Sequence, residues 1–193
     1  GTDAYTYYQG NFTRFPESSK WVSFEDMWNN NVDSIQQACG WLKYGKDDTA
    51  GEIQDIYNAI QDRANASLVD HRLVLAHILQ ESHGCVRIPH TTSSGGTKNT
   101  GLMQAHDGHE YDSKHQDKSI ILMVQDGTQG TKKGNGIAQE LNAYGNPYAA
   151  ARAYNSGYID NSGDLSAAAG ATACYVSDIA NRLTGWVKAQ STC

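Results

Sequence analysis

The residues best placed by type to do acid–base chemistry are Glu81 and the segment His106-Asp-Gly-His-Glu-Tyr-Asp112. Glu81 closes an apolar run in which Leu75, Ile78, Leu79 and Ser82 recur at helical spacing. A carboxylate in the last turn of such a helix faces the negative end of the dipole beside apolar neighbours. Both effects disfavour its charged form and raise its pKa. A carboxylic acid still protonated near neutral pH is what general acid catalysis requires. The ordinary alternative for one such residue is a solvated surface group. The His- and Asp-rich segment has metal-ligating residue types without the matching spacing. His109-Glu110 is followed by His only at 115, which breaks the HExxH pattern, so a polar loop without metal is expected. No Gly-x-Ser-x-Gly elbow supports a Ser-His-Asp triad, and Gly134-Asn-Gly136 lacks the strand that precedes a phosphate loop. No cofactor is expected.

Several helices must position these groups. Ser23-Phe-Glu-Asp opens one running through Leu42, and Glu52 to Arg63 forms a strong amphipathic helix carrying Ile53, Ile56, Tyr57 and Ile60. The Glu81 helix follows, capped by Ser67 or Asp70 and ended by Gly84 in a left-handed turn. Cys85 to Thr100 reads as a polar loop too rich in Gly and Ser for regular structure. Lys118 to Gln125 is a short helix, Asp126 to Gly136 a loop, and Ile137 to Tyr144 a helix stopped by Gly145-Asn-Pro. Pro147 starts the next helix, which stops at Gly157, and the last runs from about Ala173 to Leu183. Residues 1–22 lack periodicity, and their aromatics are expected to pack on the domain, with a sugar-stacking platform as the functional alternative.

Composition narrows the partners. With 15 Lys and Arg against 21 Asp and Glu, net charge is −6, and no basic run exceeds Lys132-Lys133. That argues against nucleic acid and against simple electrostatic adhesion to an anionic wall. No apolar run reaches membrane-spanning length, and the start GTDAYTYY fits a processed mature form. Four cysteines without CxxC spacing, and sequons at Asn11 and Asn65, favour a secreted protein with two disulfides. Of three possible pairings, Cys39 with Cys85 and Cys174 with Cys193 is expected. A monomer is the default, as no apolar surface helix is left over.

Three short signals stand in a fixed order: Glu81-Ser82 closing a helix, Gly101-Leu-Met-Gln104 after a polar loop, and Ala153-Tyr-Asn155 closing a later helix. In this order and context the chain resembles the goose-type lysozymes and soluble lytic transglycosylases, which share one lysozyme-like fold. The resemblance spans about residues 50–185, including the Tyr175-Val176 helix. It implies a mainly α, lysozyme-like single domain over 49–193, with an irregular N-terminal elaboration over 1–48.

By matching position, Glu81 would protonate the glycosidic oxygen between N-acetylated sugars, and Ser82 would fix the end of its helix. Gly101, Met103 and Gln104 would line sugar subsites, Tyr154 would hydrogen-bond near the acid or substrate, and Asn155 would brace the backbone. An inverting glycosidase also needs a second carboxylate roughly 6.5–9.5 Å from the acid. Goose-type enzymes place an Asp where this chain has His106. Asp107 stands one residue further on, and Glu110 is a poorer candidate. Transglycosylases lack that Asp and use the substrate's own 6-hydroxyl. Some carry a Glu shortly before the Tyr-Val pair, near this chain's Ala171. The resemblance therefore implies a secreted, antimicrobial muramidase that hydrolyses β-1,4 bonds of peptidoglycan, with Asp107 assisting water and His106 beside the substrate. Lytic transglycosylase and chitinase are the enzymatic alternatives. A silent wall- or chitin-binding module is the non-enzymatic one, and the intact motifs speak against it.

Overall fold

The computed structural model describes residues 1–193 and is mainly helical. The chain forms two compact units, one from residues 1–30 with 140–193 and one from residues 31–139. The boundaries fall inside helix α1 (Phe24–Trp41) and helix α5 (Ile137–Tyr144).

The 31–139 unit is organised around α2 (Ala50–Ser67), α3 (His71–Ser82) and α4 (Gln116–Gln129), with α2 packed against both others. Helix α2 starts two residues before the expected Glu52 because Thr49 and Glu52 form a reciprocal capping box. The Asp70 side chain caps α3 by accepting from Arg72 N at 2.9 Å. Every residue of α3 from Leu73 to Leu79 is buried, so this helix is the core of its unit and not a surface amphipath. It ends one residue earlier than the expected glycine turn. His83 takes the left-handed conformation at φ 54°, and Gly84 follows at φ 86°. Gly84 is also sterically required, since a Cβ there would lie 2.6 Å from Ile35 Cγ2.

Two expectations are corrected. The 85–100 segment is not wholly irregular: β1 (Thr91–Thr92), β2 (Lys98–Thr100) and β3 (Ala105–His106) form an antiparallel sheet in that order, with Thr91 opposite Asn99 and Asn99 opposite His106. Backbone pairing suits this polar, threonine-bearing stretch, with Gly95-Gly96 in the turn. Helix α4 also runs beyond Gln125, burying Asp126, Gly127 and Thr128 in place of the expected loop.

In the other unit, α6 (Pro147–Ser156) packs against α7 (Tyr175–Thr184). The N-terminal segment packs by some of its aromatics: Phe15 and Trp21 are buried, whereas Tyr7 and Phe12 stay exposed. Trp21 Nε1 donates to Tyr148 Oη at 2.9 Å, and Tyr148 Oη donates to Pro16 O at 2.6 Å. Tyr5 Oη donates to Asp178 at 2.6 Å, and Thr6 N to Asn181 Oδ1 at 2.8 Å. Asn11 and Asn65, the sequon residues, are both exposed. The cysteines pair as expected, Cys39 with Cys85 and Cys174 with Cys193.

Candidate active site

Glu81 sits half-buried at the C-terminal end of α3, where the buried run gives way to surface. The next residue couples this end to the Gly101-Leu-Met-Gln104 loop. The buried Ser82 hydroxyl lies 2.8 Å from Leu102 O and 3.1 Å from Ile78 O, and accepts from Gly84 N at 3.2 Å. Ser82 thus holds the helix end, its exit turn and the loop together. The loop is a tight turn between β2 and β3. Gly101 is at φ 74°, and a Cβ there would lie 2.7 Å from His109 O and 2.8 Å from Met123 Cγ. The close approach that demands glycine is therefore to the protein's own backbone and core.

Met103, expected to line a sugar subsite, is fully buried. It packs on Gly127 of α4, where a Cβ would overlap Met103 Cβ and Sδ. Its side chain forms the wall behind the loop and leaves the outer surface to Gln104. The Gln104 amide donates to Gly101 O at 3.0 Å and accepts from Thr91 Oγ1 at 3.0 Å, which fixes its own backbone at φ 48°. His106 is partly exposed, packs over Gly134, and accepts at its carbonyl from Thr131 Oγ1 at 2.6 Å.

Asp107 is exposed and takes a left-handed φ of 48°. Its carboxylate meets Lys133 Nζ at 2.7 Å, and this hydrogen bond holds its pKa below the ordinary value. Asp107 is accordingly ionised at neutral pH. The rest of the His- and Asp-rich segment is occupied by internal pairs. His109 N and Nδ1 reach Asp126 at 2.6 and 2.7 Å, His90 Nδ1 meets Glu110 at 2.9 Å, and His115 Nδ1 meets Asp112 at 2.7 Å. No group of three or more His, Cys, Asp or Glu side chains is arranged to hold a metal.

One cluster has no counterpart in the sequence reading. Arg87, in the segment after α3, donates to Asp48 at 2.9 Å and to Glu52 at 2.5 Å, and Glu52 also accepts from Tyr111 Oη. Asp48 further accepts from Val86 N at 3.3 Å. The α2 start, the α3 exit and the loop after β3 are thereby tied by one cation between two carboxylates. Burial pushes Glu52 up, but hydrogen bonds from Tyr111, Arg87 and Thr49 N overcome it and leave its pKa below the ordinary value. Burial dominates at Asp48 and raises its pKa from 3.8 to about 7. The Thr49-x-x-Glu52 spacing was the available signal, legible as a cap but not as part of a network.

Because the folded pKa of Asp48 is raised, its contribution to stability is full below about pH 4 and lost as pH rises through about 7. Asp48→Asn, which keeps an acceptor toward Arg87 and Val86, is expected to remove this slope. Thermal melts from pH 4 to 8 check it: the stability of wild type relative to D48N should fall as pH rises.

The third motif lies in the other unit. Tyr154 is partly buried. Asn155 Oδ1 accepts from Arg152 Nη2, and from Thr172 N at 3.2 Å. Arg152 is fully buried and donates to Leu165 O at 3.2 Å and Thr172 O at 3.0 Å. Asn155 and Arg152 therefore brace the irregular 157–172 connection by its backbone.

A family model for the transglycosylase SLT domain matches residues 58–171. No curated protein and no solved structure matches the chain. The matched span covers more than half of the chain and contains Glu81-Ser82, Gly101-Leu-Met-Gln104 and Ala153-Tyr-Asn155. With these motifs inside it and a mainly helical fold around them, the chain belongs to the transglycosylase SLT domain family, lysozyme-like domains that act on peptidoglycan.

Proposed function

We propose that this domain cleaves the β-1,4 bond between N-acetylated sugars of peptidoglycan, with Glu81 as the general acid. The observation that carries this reading is the Ser82 bond to Leu102 O at 2.8 Å, which couples the Glu81 helix end to the Gly101–Gln104 loop. A carboxyl half-buried at the end of a buried helix is set to protonate a leaving oxygen. Gln104 and His106, partly exposed at the turn that Ser82 holds and in the strand after it, are the proposed sugar contacts. Tyr154 and Asn155 are proposed as further contributors on the strength of their motif. The two disulfides and the exposed sequons support an extracellular setting.

Hydrolysis, with Asp107 activating water, is the first reading for the second half of the reaction. Its support is that Asp107 is held ionised, the state a general base needs. The ion pair with Lys133 at 2.7 Å favours a second reading, because a neutralised carboxylate is a weak base. In that reading the sugar's own 6-hydroxyl attacks and a 1,6-anhydro end forms, the transfer after which the family is named. Mass spectrometry of soluble products from purified peptidoglycan, with chitin oligosaccharides alongside, separates the two. Reducing-end products mean hydrolysis, and products lighter by one water mean transfer. Asp107→Asn should lower turnover about a hundredfold if Asp107 is the base, and change it little otherwise. Cleavage of chitin alone would overturn the choice of polymer. Saturable binding with no new ends would overturn the enzyme reading.

A further inference from the structure

Trp41, the last residue of α1, leaves 69% of its surface in water. Exposed apolar residues standing singly are common on protein surfaces. Trp41 differs because its ring has a ring partner. Its ring meets the His83 ring at 5.2 Å between centroids and 84° between planes. His83 is the second residue after Glu81 and caps the end of α3. The Cys39–Cys85 disulfide, two residues before Trp41 and two after His83, joins the same two segments at a Cα separation of 4.8 Å. An aromatic plate thus stands against the helix end that carries the proposed acid.

The plate stands at a groove of about 500 Å³ whose other walls are Gln36, Gln37, Gly40 and Asp47. All five of these residues are exposed, so the groove is shallow and open to solvent. Asp47 Oδ1 accepts from Gly40 N at 2.9 Å, and a Cβ on residue 40 would overlap that oxygen. The groove therefore keeps a bare floor and a pinned carboxylate. Two exposed amides and a carboxylate suit sugar hydroxyls, and a flat indole suits the C–H face of a pyranose ring.

We propose that Trp41 and this groove form an accessory glycan subsite, which stacks on a sugar of the bound strand beyond those flanking the cleaved bond. The assignment rests on the function proposed for Glu81. A contact with a sugar remote from the reacting bond holds the strand in the ground state as well as in the transition state. Its loss therefore appears in KM more than in kcat.

The test uses glycan strands released from bacterial peptidoglycan and sorted by length, with W41A, W41F and the double variant Q36A/Q37A. On long strands W41A should raise KM about tenfold, W41F less, and Q36A/Q37A about threefold. The W41A penalty should shrink below about twofold on the shortest strand that is cleaved. Should W41A lose its melting transition, W41F and Q36A/Q37A carry the test. Wild-type KM on long strands in the folded variants overturns the subsite while leaving the Glu81 reading intact. A W41A penalty equal at every length also overturns it, since Trp41 would then act through His83 on the acid. If wild type cleaves no strand of any length, the Glu81 reading falls and the subsite falls with it.

Discussion

Glu81→Gln is expected to lower turnover of peptidoglycan by about a thousandfold or more while leaving the fold and glycan binding in place. Loss of a general acid removes about 10²–10⁴ in rate, and an unactivated sugar alkoxide is a poor leaving group. The amide keeps the shape and hydrogen-bonding reach of the side chain but has no proton to give. The helix end also has supports that do not involve the Glu81 side chain. The helix end is held by Ser82 through Ile78 O and Leu102 O, and the exit turn by Gly84 N on the Ser82 hydroxyl. Thermal melting should therefore be close to wild type, and pull-down on insoluble peptidoglycan should persist. Turnover within tenfold of wild type would remove Glu81 from the mechanism and, with it, the reading of the whole site.

Removing the Cys39–Cys85 crosslink should have the largest effect on stability. The bridge closes a separation of 46 residues, for which chain entropy alone gives about 4 kcal/mol. Cys174–Cys193 closes 19 residues, which corresponds to about 3 kcal/mol. Both cysteines of the first bridge are fully buried beside Ala38 and Leu42, so Cys39→Ala with Cys85→Ala also leaves a void in the core. A chain of this size loses about 2–4 °C of Tm per kcal/mol, so the double variant should melt about 8–16 °C lower. Scanning calorimetry of both paired-alanine variants checks the size and the ranking. Equal or reversed losses would show that the shorter C-terminal loop, not the Glu81-bearing unit, limits the stability of the chain.

The elements that local patterning dictates were legible in the sequence. Helix α3 follows from its apolar spacing and the Asp70 cap, and α6 from Pro147 at its first turn with Gly157 as its left-handed end. The mainly helical class and the family were legible for the same reason, since the motifs sit at helix ends and turns. What escaped depends on contacts distant in sequence. Helix α4 continues through Gly127 because the missing side chain makes room for Met103. Buried Asp126 is tolerated because His109 N and Nδ1 both meet it. Neither partner is within helical reach, so the stretch reads as a loop. Met103 reads as an outer-surface residue for a similar reason. A motif seen as letters carries no indication of which side chains turn inward. The Asp48–Arg87–Glu52–Tyr111 cluster joins three separate stretches, and only Glu52, as the capping-box partner of Thr49, was local enough to suspect.

The order in which the two units are completed during synthesis follows from how the chain is divided. Residues 31–139 are continuous, carry both Cys39 and Cys85, and include Glu81 and the Gly101–Gln104 turn. They can collapse before residues 140–193 are made, with both partners of the disulfide already in hand. Residues 1–30 emerge earlier but must wait for 140–193, since Trp21 needs Tyr148, Tyr5 needs Asp178, and Thr6 needs Asn181. Over that interval Phe15 and Trp21 lack the Tyr148 ring on which they pack. The earliest segment to be made is thus the last to find its place, and it is there, not around the acid, that a nascent chain most needs shielding from aggregation.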